Sequence, residues 1–254
     1  AGSVEAPDLG YRYRDLHWRC PLRRVANAGW QCEGELRSGR SPPLRLAVKF
    51  DEASTQASLS QGRARFGLDR NAATPDLTTL DLAAVPLAWA QALLQQPWPE
   101  AHFKAGTLEG RLAVEAPAHR PLRVSGPLRV RGLGLETADA SVVGEQLDGD
   151  LRIDYRIAPA LSLLAIDGAL QGGEFLAGNT YLALPATPVG LRVDAMQHAG
   201  GGWEVPRVEW RDGDVLQATA AMRFGADGGL QSLQADARSG DMGPLKPRYL
   251  SGWM

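Results

Sequence analysis

The sequence predicts a mainly β protein built as one long antiparallel sheet with a single short helix. Three observations favour this fold class. Apolar and polar residues alternate with a period of two in most segments. The 29 glycines and 17 prolines interrupt that pattern every ten to twenty residues, as turns between short strands do. Only one segment, near residues 86–96, has the composition of a helix.

A hairpin closed by cysteines is predicted in the first segment, residues 1–75. Cys20 and Cys32 are the only cysteines, and the turn-forming residues 27–29 lie between them. A hairpin at this turn would bring the sulfurs together, and a disulfide closing so short a loop contributes roughly 2–3 kcal/mol. We therefore predict a Cys20–Cys32 disulfide and an oxidising compartment. The alternative is a pair of reduced thiols.

Residues 44–50, LRLAVKF, show the strand pattern of this first segment most clearly. Leu44, Leu46, Val48 and Phe50 alternate with residues that include Arg and Lys. This period of two is typical of a half-buried antiparallel strand.

The helix lies in a connecting segment, residues 76–105. From Pro86 onward the sequence PLAWAQALLQQ is rich in Ala, Leu and Gln and has no β-branched residue. Pro86 suits a first helical turn, Leu87, Ala90 and Leu94 follow helical spacing, and later prolines end the pattern. We expect a helix over residues 86–96.

From residue 106 to residue 254 every readable segment predicts a strand with one apolar face. A closed barrel, a sandwich or a long curled sheet would each bury such faces. Several inward positions hold Ala or Gly and no dense aromatic core is present, which favours a sheet curled around an open, apolar-lined groove. The candidate lining residues are Leu151, Ile153, Tyr155, Ile157, Leu191, Val193, Leu216, Met222 and Phe224.

A short phrase, "apolar, any, Gly, any, Leu", recurs through this region. It reads LEGRL at 108–112, VSGPL at 124–128, LDGDL at 147–151 and IDGAL at 166–170, with a looser copy, CEGEL, at 32–36. A catalytic site is built once, whereas this phrase recurs. We therefore expect each Gly to form a turn or bulge where a strand begins, with the following Leu as the first inward residue.

The residue pattern offers little for catalysis or for nucleic-acid binding. The net charge of −2 gives no strongly basic face. Asp148, Asp150 and Asp154 alternate with the apolar positions of their strand, which indicates a solvated outer face. None of the histidines has metal-ligand spacing to another His or to Cys; these are His17, His102, His119 and His198. We expect no enzyme activity, no metal, no cofactor and no nucleic-acid partner.

These phrases resemble the AsmA-like family of Gram-negative envelope proteins, of the TamB and YdbH type. The resemblance rests on LEGRL, LDGDLRIDY and IDGAL, on the segment LDLAAVPLAWAQALLQ and on the strand VLQATAAMRF, and it extends over about 80–250. It implies a β-taco, a long U-shaped sheet with an apolar interior. The 254 residues would then form one continuous β-rich segment of a longer protein.

The resemblance also implies a function without chemistry. Phospholipid acyl chains would lie in the groove and pass between the inner and outer membranes, with inner- and outer-membrane envelope proteins as partners. The segment would be periplasmic, and an N-terminal helix that is absent here would anchor the full-length protein in the inner membrane. Two alternatives stay open: a structural or interaction module of the envelope, and a carbohydrate-binding or adhesive β-protein that uses its scattered tryptophans.

Overall fold

The structure confirms the predicted fold class. It is a computed structural model that describes residues 2–6, 11–24, 29–37, 42–94, 101–138, 140–177 and 180–250. The chain is mainly β, and its strands form one large antiparallel sheet that stays open; one short helix, at residues 87–94, joins two of its strands, and a single helical turn at 242–245 follows the last strand.

The strands follow the chain in order, and each is labelled by its position along the sequence. They are β1 (Gly2–Ala6), β2 (Tyr11–Arg19), β3 (Leu22–Arg24), β4 (Trp30–Arg37), β5 (Leu44–Phe50), β6 (Ser54–Gln61), β7 (Ala64–Asn71), β8 (Leu77–Pro86), β9 (Ala101–Glu115), β10 (Leu122–Thr137), β11 (Val142–Ile157), β12 (Leu161–Gln171), β13 (Glu174–Ala177), β14 (Thr180–Ala183), β15 (Val189–His198), β16 (Trp203–Asp212), β17 (Leu216–Phe224) and β18 (Leu230–Arg238). The helices are α1 (Leu87–Leu94) and α2 (Met242–Leu245), and a π-helical turn, Lys246–Leu250, follows α2.

The sheet is a meander in which neighbours along the chain are neighbours in space. β1 pairs with β2, and β2 and β3 both pair with β4. Antiparallel pairs then run without interruption from β4 to β11. β11 pairs with β12 and, at its other end, with β13; β12 pairs with β15, and β13 with β14. The last pairs join β15 to β16, β16 to β17 and β17 to β18.

The predicted disulfide hairpin is confirmed. β3 and β4 pair antiparallel, with Leu22 opposite Cys32. The Cys20–Cys32 disulfide joins Cα atoms 5.5 Å apart, within the usual range for such a bridge. Of the predicted turn, residues 27 and 28 lie outside the described residues.

The predicted helix near 86–96 is also present, as α1 at the end of β8; residues 95 and 96 lie outside the described ranges. Gln91 is buried, and its side-chain amide donates to the carbonyl oxygen of Ala101 (2.8 Å) and accepts from the amide of Phe103 (3.0 Å). These bonds satisfy backbone groups of β9 in the part of the strand that extends beyond its pairing with β8. β8 itself pairs directly with β9, so the segment 76–105 continues the sheet.

The glycines of the repeated phrase do not begin strands, and that prediction is wrong. Gly110, Gly126, Gly149 and Gly168 lie inside β9, β10, β11 and β12. An added Cβ on Gly168 would lie 2.2 Å from the carbonyl oxygen of Asp150 in β11, and Gly110 and Gly126 have equivalent approaches of 2.4 Å to the carbonyls of Pro127 and Arg111. In these three copies the phrase marks close contact between neighbouring strands, where only Gly leaves room for the adjacent backbone. At Gly149 an added Cβ would instead meet side-chain carbons of Leu170 and Leu151, at 3.1 and 3.6 Å.

Candidate functional site

The strand registers bring apolar residues into two continuous rows that cross the sheet from β4 to β18. Residues directly opposite each other in an antiparallel pair lie on the same face, so the registers identify this apolar face. The first row is Gly34, Leu46, Leu59, Phe66, Leu82, Gly110, Leu128, Leu151, Gly168, Leu191, Trp210, Ala218 and Ala237. The second is Cys32, Val48, Ala57, Leu68, Leu80, Leu112, Gly126, Ile153, Ile166, Val193, Val208, Ala220 and Ala235. With strands ~4.8 Å apart, each row is about 58 Å long.

All nine residues selected from the sequence lie on this apolar face. Leu151, Ile153, Leu191 and Val193 belong to the two rows. The others extend the same face along their strands: Tyr155 and Ile157 in β11, and Leu216, Met222 and Phe224 in β17. All are half-buried except Ile157, which is exposed at the end of its strand.

Several residues of the apolar face were not found from the sequence. Ile166 lies in LSLLAIDGAL, where the adjacent Leu163 and Leu164 make either phase of the alternation equally good. Val205 and Val208 are three residues apart, a spacing that in a regular strand places side chains on opposite faces. Both face the apolar side because the register shifts between them. Such an irregularity reverses the phase of a strand and leaves no signature in a pattern of period two.

The apolar face is not covered by a second layer within the described part of the chain. Of the 26 residues in the two rows, only Gly34 and Leu112 are buried. The accessible surface is 15,895 Å². A compact monomer of 27.2 kDa would have about 10,900 Å². A sandwich would bury these rows against another sheet, so the structure is an open sheet with an accessible apolar face.

The face is closed at one end of its strands and open at the other. At the end where α1 and the C-terminal segment lie, Val85, Leu135, Leu147 and Val189 are buried. At the opposite end the large apolar side chains are exposed; they include Trp30, Phe50, Ile157 and Leu230. We call these the helical end and the open end.

A buried polar cluster holds the C-terminal segment on the apolar face at the helical end. Asp212 lies on that face, opposite Leu216, and is 5% exposed. Its carboxylate accepts from Arg248 Nη1 (2.9 and 2.7 Å) and from the Tyr249 hydroxyl (2.8 Å). The Tyr249 hydroxyl in turn accepts from Trp210 Nε1 (3.0 Å). Each polar group is therefore satisfied, as burial on an apolar surface requires.

The environment of Tyr249 also changes its ionisation. Burial, together with the hydrogen bond to the carboxylate of Asp212, raises the pKa of Tyr249 to about 12. The hydroxyl is thus kept neutral and acts as a structural donor to Asp212.

The opposite face of the sheet is polar and carries cross-strand ion pairs. Asp150 binds Arg129 and Arg131, and the Arg129 guanidinium holds the pKa of Asp150 below its ordinary value. Asp154 binds Arg123 at 2.8 Å, which lowers the pKa of Asp154 in the same way. The predicted solvated role of these carboxylates fits their position, since each is ion-paired on the polar face.

Across the described residues, no group of three or more His, Cys, Asp or Glu side chains could hold a metal ion. Within the same ranges, no helix has the length and apolarity needed to cross a bilayer.

Comparisons with known proteins add no relative. A scan against protein-family models, a search of curated proteins and a search of solved structures all give no match.

Proposed function

We propose that the chain binds phospholipid acyl chains on its apolar face and passes them between the inner and outer membranes as a periplasmic segment of an AsmA-like protein. The observation that carries this proposal is the pair of unbroken apolar rows, which lie half-exposed on one face of an open sheet. Soluble proteins rarely leave so large an apolar surface uncovered unless a ligand or partner occupies it.

The dimensions of the face suit an extended acyl chain. A row about 58 Å long exceeds the half-thickness of a bilayer, about 15 Å, several-fold. Each methylene removed from water contributes about 0.8 kcal/mol, so about ten buried methylenes contribute on the order of 8 kcal/mol before ordering costs. Because successive positions along the rows are chemically alike, a bound chain can shift from one to the next without a large change in free energy.

The distribution of charged residues favours a bound lipid with its acyl chain on the rows and its headgroup in water. The ion-paired Arg and Asp side chains of β10 and β11 lie on the polar face, and neither row contains a charged residue. Asp212 lies on the apolar face at the helical end, outside both rows, and is paired with Arg248. An acyl chain on the rows would meet only apolar atoms, while its headgroup would stay in water at the open end, where the side chains are exposed.

The Cys20–Cys32 disulfide supports the proposed location. Disulfides form and persist in oxidising compartments such as the periplasm. Transfer between two membranes across that space is consistent with a protein folded there.

A photo-crosslinking amino acid at two adjacent positions tests lipid binding directly. Ile153 lies near the centre of the second row. Arg152, the preceding residue of β11, lies on the polar face. The purified protein is incubated with vesicles of phosphatidylethanolamine and phosphatidylglycerol and irradiated, and adducts are identified by mass spectrometry. We expect phospholipid adducts at position 153 and none at position 152.

A matched pair of substitutions then tests whether the rows carry transfer. Ala220 belongs to the second row and its neighbour Ala221 faces the polar side, opposite Gln234; both are half-buried. We expect Ala220→Asp to lower the transfer rate of fluorescent phosphatidylethanolamine between vesicles at least tenfold, because a carboxylate in the row must be desolvated. Ala221→Asp should leave the rate unchanged.

The outcomes separate this proposal from its alternatives. Equal labelling at positions 152 and 153, or no lipid adduct at either, contradicts lipid binding and favours an interaction module. Adducts at position 153 without any vesicle-to-vesicle transfer would contradict the transfer step alone.

A further inference from the structure

The last strand of the sheet has a free edge. β18 pairs with β17 on one side, and no other described strand pairs with it. β18 ends at the helical end, where the amides of Gly240 and Asp241 donate to the carbonyl of Asp214 in the β16–β17 turn, so the chain leaves the outer edge of β18 uncovered. The outer backbone groups of β18 therefore face solvent along nine residues.

This edge has few of the features that usually prevent strand addition; its one irregularity is a register shift at Gln231, near the end of the strand that lies at the open end. All nine residues of β18 are exposed, and Leu230 and Leu233 are 55% and 58% exposed. The strand contains no Pro and no Lys, and its charged residues are Asp236 and Arg238, close to one end. Exposed edges that must stay unpaired commonly carry Lys, Pro or a bulge, because open backbone groups are a template for another strand.

The sequence of β18 is compatible with antiparallel pairing to itself. With Gln234 opposite Gln234 of a second copy, residues 232–236 pair with their faces matched, and the register shift at Gln231 leaves Leu230 and Arg238 outside the pairing. Leu233 then lies opposite Ala235, both on the apolar face, and Ser232 lies opposite Asp236 on the polar face. Neither Asp236 nor Arg238 meets its own charge, so no like-charge contact opposes the pair.

We propose that β18 pairs edge to edge with β18 of a second copy of this chain, in antiparallel register about Gln234. The two-fold axis is perpendicular to the sheet, so the same patch serves both copies. The apolar face of one copy then continues into that of the other. Pairing through β18 requires no bound lipid. A single strand pair is a small interface, so the dimer forms in a concentration-dependent way.

A cysteine at the two-fold position tests the register. Gln234→Cys places two thiols opposite each other, within about 5 Å between Cβ atoms. Cys20 and Cys32 are the only native cysteines and are joined to each other, so the introduced thiol is the only free one. Thr219→Cys is the control, because β17 lies one strand inward and its two thiols would be about 14 Å apart or more.

Under mild oxidation we expect a disulfide-linked dimer from Gln234→Cys and a monomer from Thr219→Cys. Equal cross-linking of both variants would indicate random collision and overturn the proposal. No cross-linking of Gln234→Cys at the highest soluble concentration would also overturn it.

Sedimentation velocity over a concentration series tests the interface without a cross-link. Leu233→Lys introduces a charge into the edge and should weaken dimerisation at least tenfold. Leu22→Lys, at a similarly exposed leucine (57%) in β3, should leave it unchanged. A monomer in the unsubstituted chain, or a dimer that persists in Leu233→Lys, contradicts pairing through β18.

Discussion

Replacing Gly168 by Ala tests whether the recurring glycine marks a close contact between strands. An ideal Cβ at this position lies 2.2 Å from the carbonyl oxygen of Asp150 and 2.8 Å from Cα of Leu151. Both atoms are backbone of β11, so no side-chain rotation can relieve the contact. β11 and β12 must separate where the registers place Leu151 opposite Gly168.

The expected cost follows from this geometry. Overpacking a well-fitted site costs about 1–3 kcal/mol, and the upper value applies because the obstacle is backbone. Ala also reduces the conformational entropy of the unfolded chain, which stabilises the fold by about 0.5 kcal/mol. We therefore expect Gly168→Ala to lower the free energy of unfolding by about 2.5 kcal/mol. For a chain of this size that corresponds to a fall in Tm of roughly 5–10 °C.

The matched control is Gly190→Ala in β15, the strand that pairs with β12 on its other side. An added Cβ at Gly190 lies 3.5 Å from Cβ of Arg211, an ordinary van der Waals contact. Urea unfolding followed by circular dichroism should give an unchanged or slightly higher stability for this variant. If Gly168→Ala is as stable as Gly190→Ala, the close-contact explanation of the phrase is refuted.

Three further predictions concern the stability of the fold. Because the pKa of Tyr249 is raised to about 12, its hydroxyl contributes stability that is fully present below pH 10 and is lost, by about 2–3 kcal/mol, as the pH rises toward 12. The free energy of unfolding should therefore fall less steeply over this range in Tyr249→Phe than in the unsubstituted chain; identical pH profiles would contradict this. Gln91→Leu leaves the buried carbonyl of Ala101 and the half-buried amide of Phe103 without their partner, so it should cost about 1–3 kcal/mol and speed hydrogen exchange at the Phe103 amide; unchanged exchange would argue against that role. Replacing Cys20 and Cys32 by Ser should lower stability by about 3 kcal/mol in urea unfolding, whereas loss of the disulfide without any change in stability would show that the hairpin does not depend on it.

Much of the candidate site was predictable because one rule governs it. In a strand, successive side chains point to opposite faces, so alternation in β11 assigned Leu151, Ile153 and Tyr155 to one face without any knowledge of neighbouring strands. The disulfide hairpin was predictable for a similar reason, since a turn signal between two cysteines is local information.

The parts that depend on contacts between distant residues were not predictable. The cluster of Asp212 and Tyr249 joins positions 37 residues apart, and nothing in either segment signals the other. Gln91 binds backbone groups of β9 that β8 does not reach, and how far β8 reaches is set by the register between the two strands. The phrase around Gly168 was visible, but its position inside a strand depended on where β12 begins.

The sequence by itself determined that the chain is a sheet of alternating strands, which residues of most strands share an apolar face, and where the helix and the disulfide lie. These are properties of a single segment, and the spacing of its side chains encodes them. Only the tertiary structure decided that the strands pair in sequential order, that their registers align the apolar positions into two unbroken rows, and that no second layer covers these rows in the described part of the chain. Register and coverage depend on contacts between segments, and a period of two is the same whether the face it produces is buried or open.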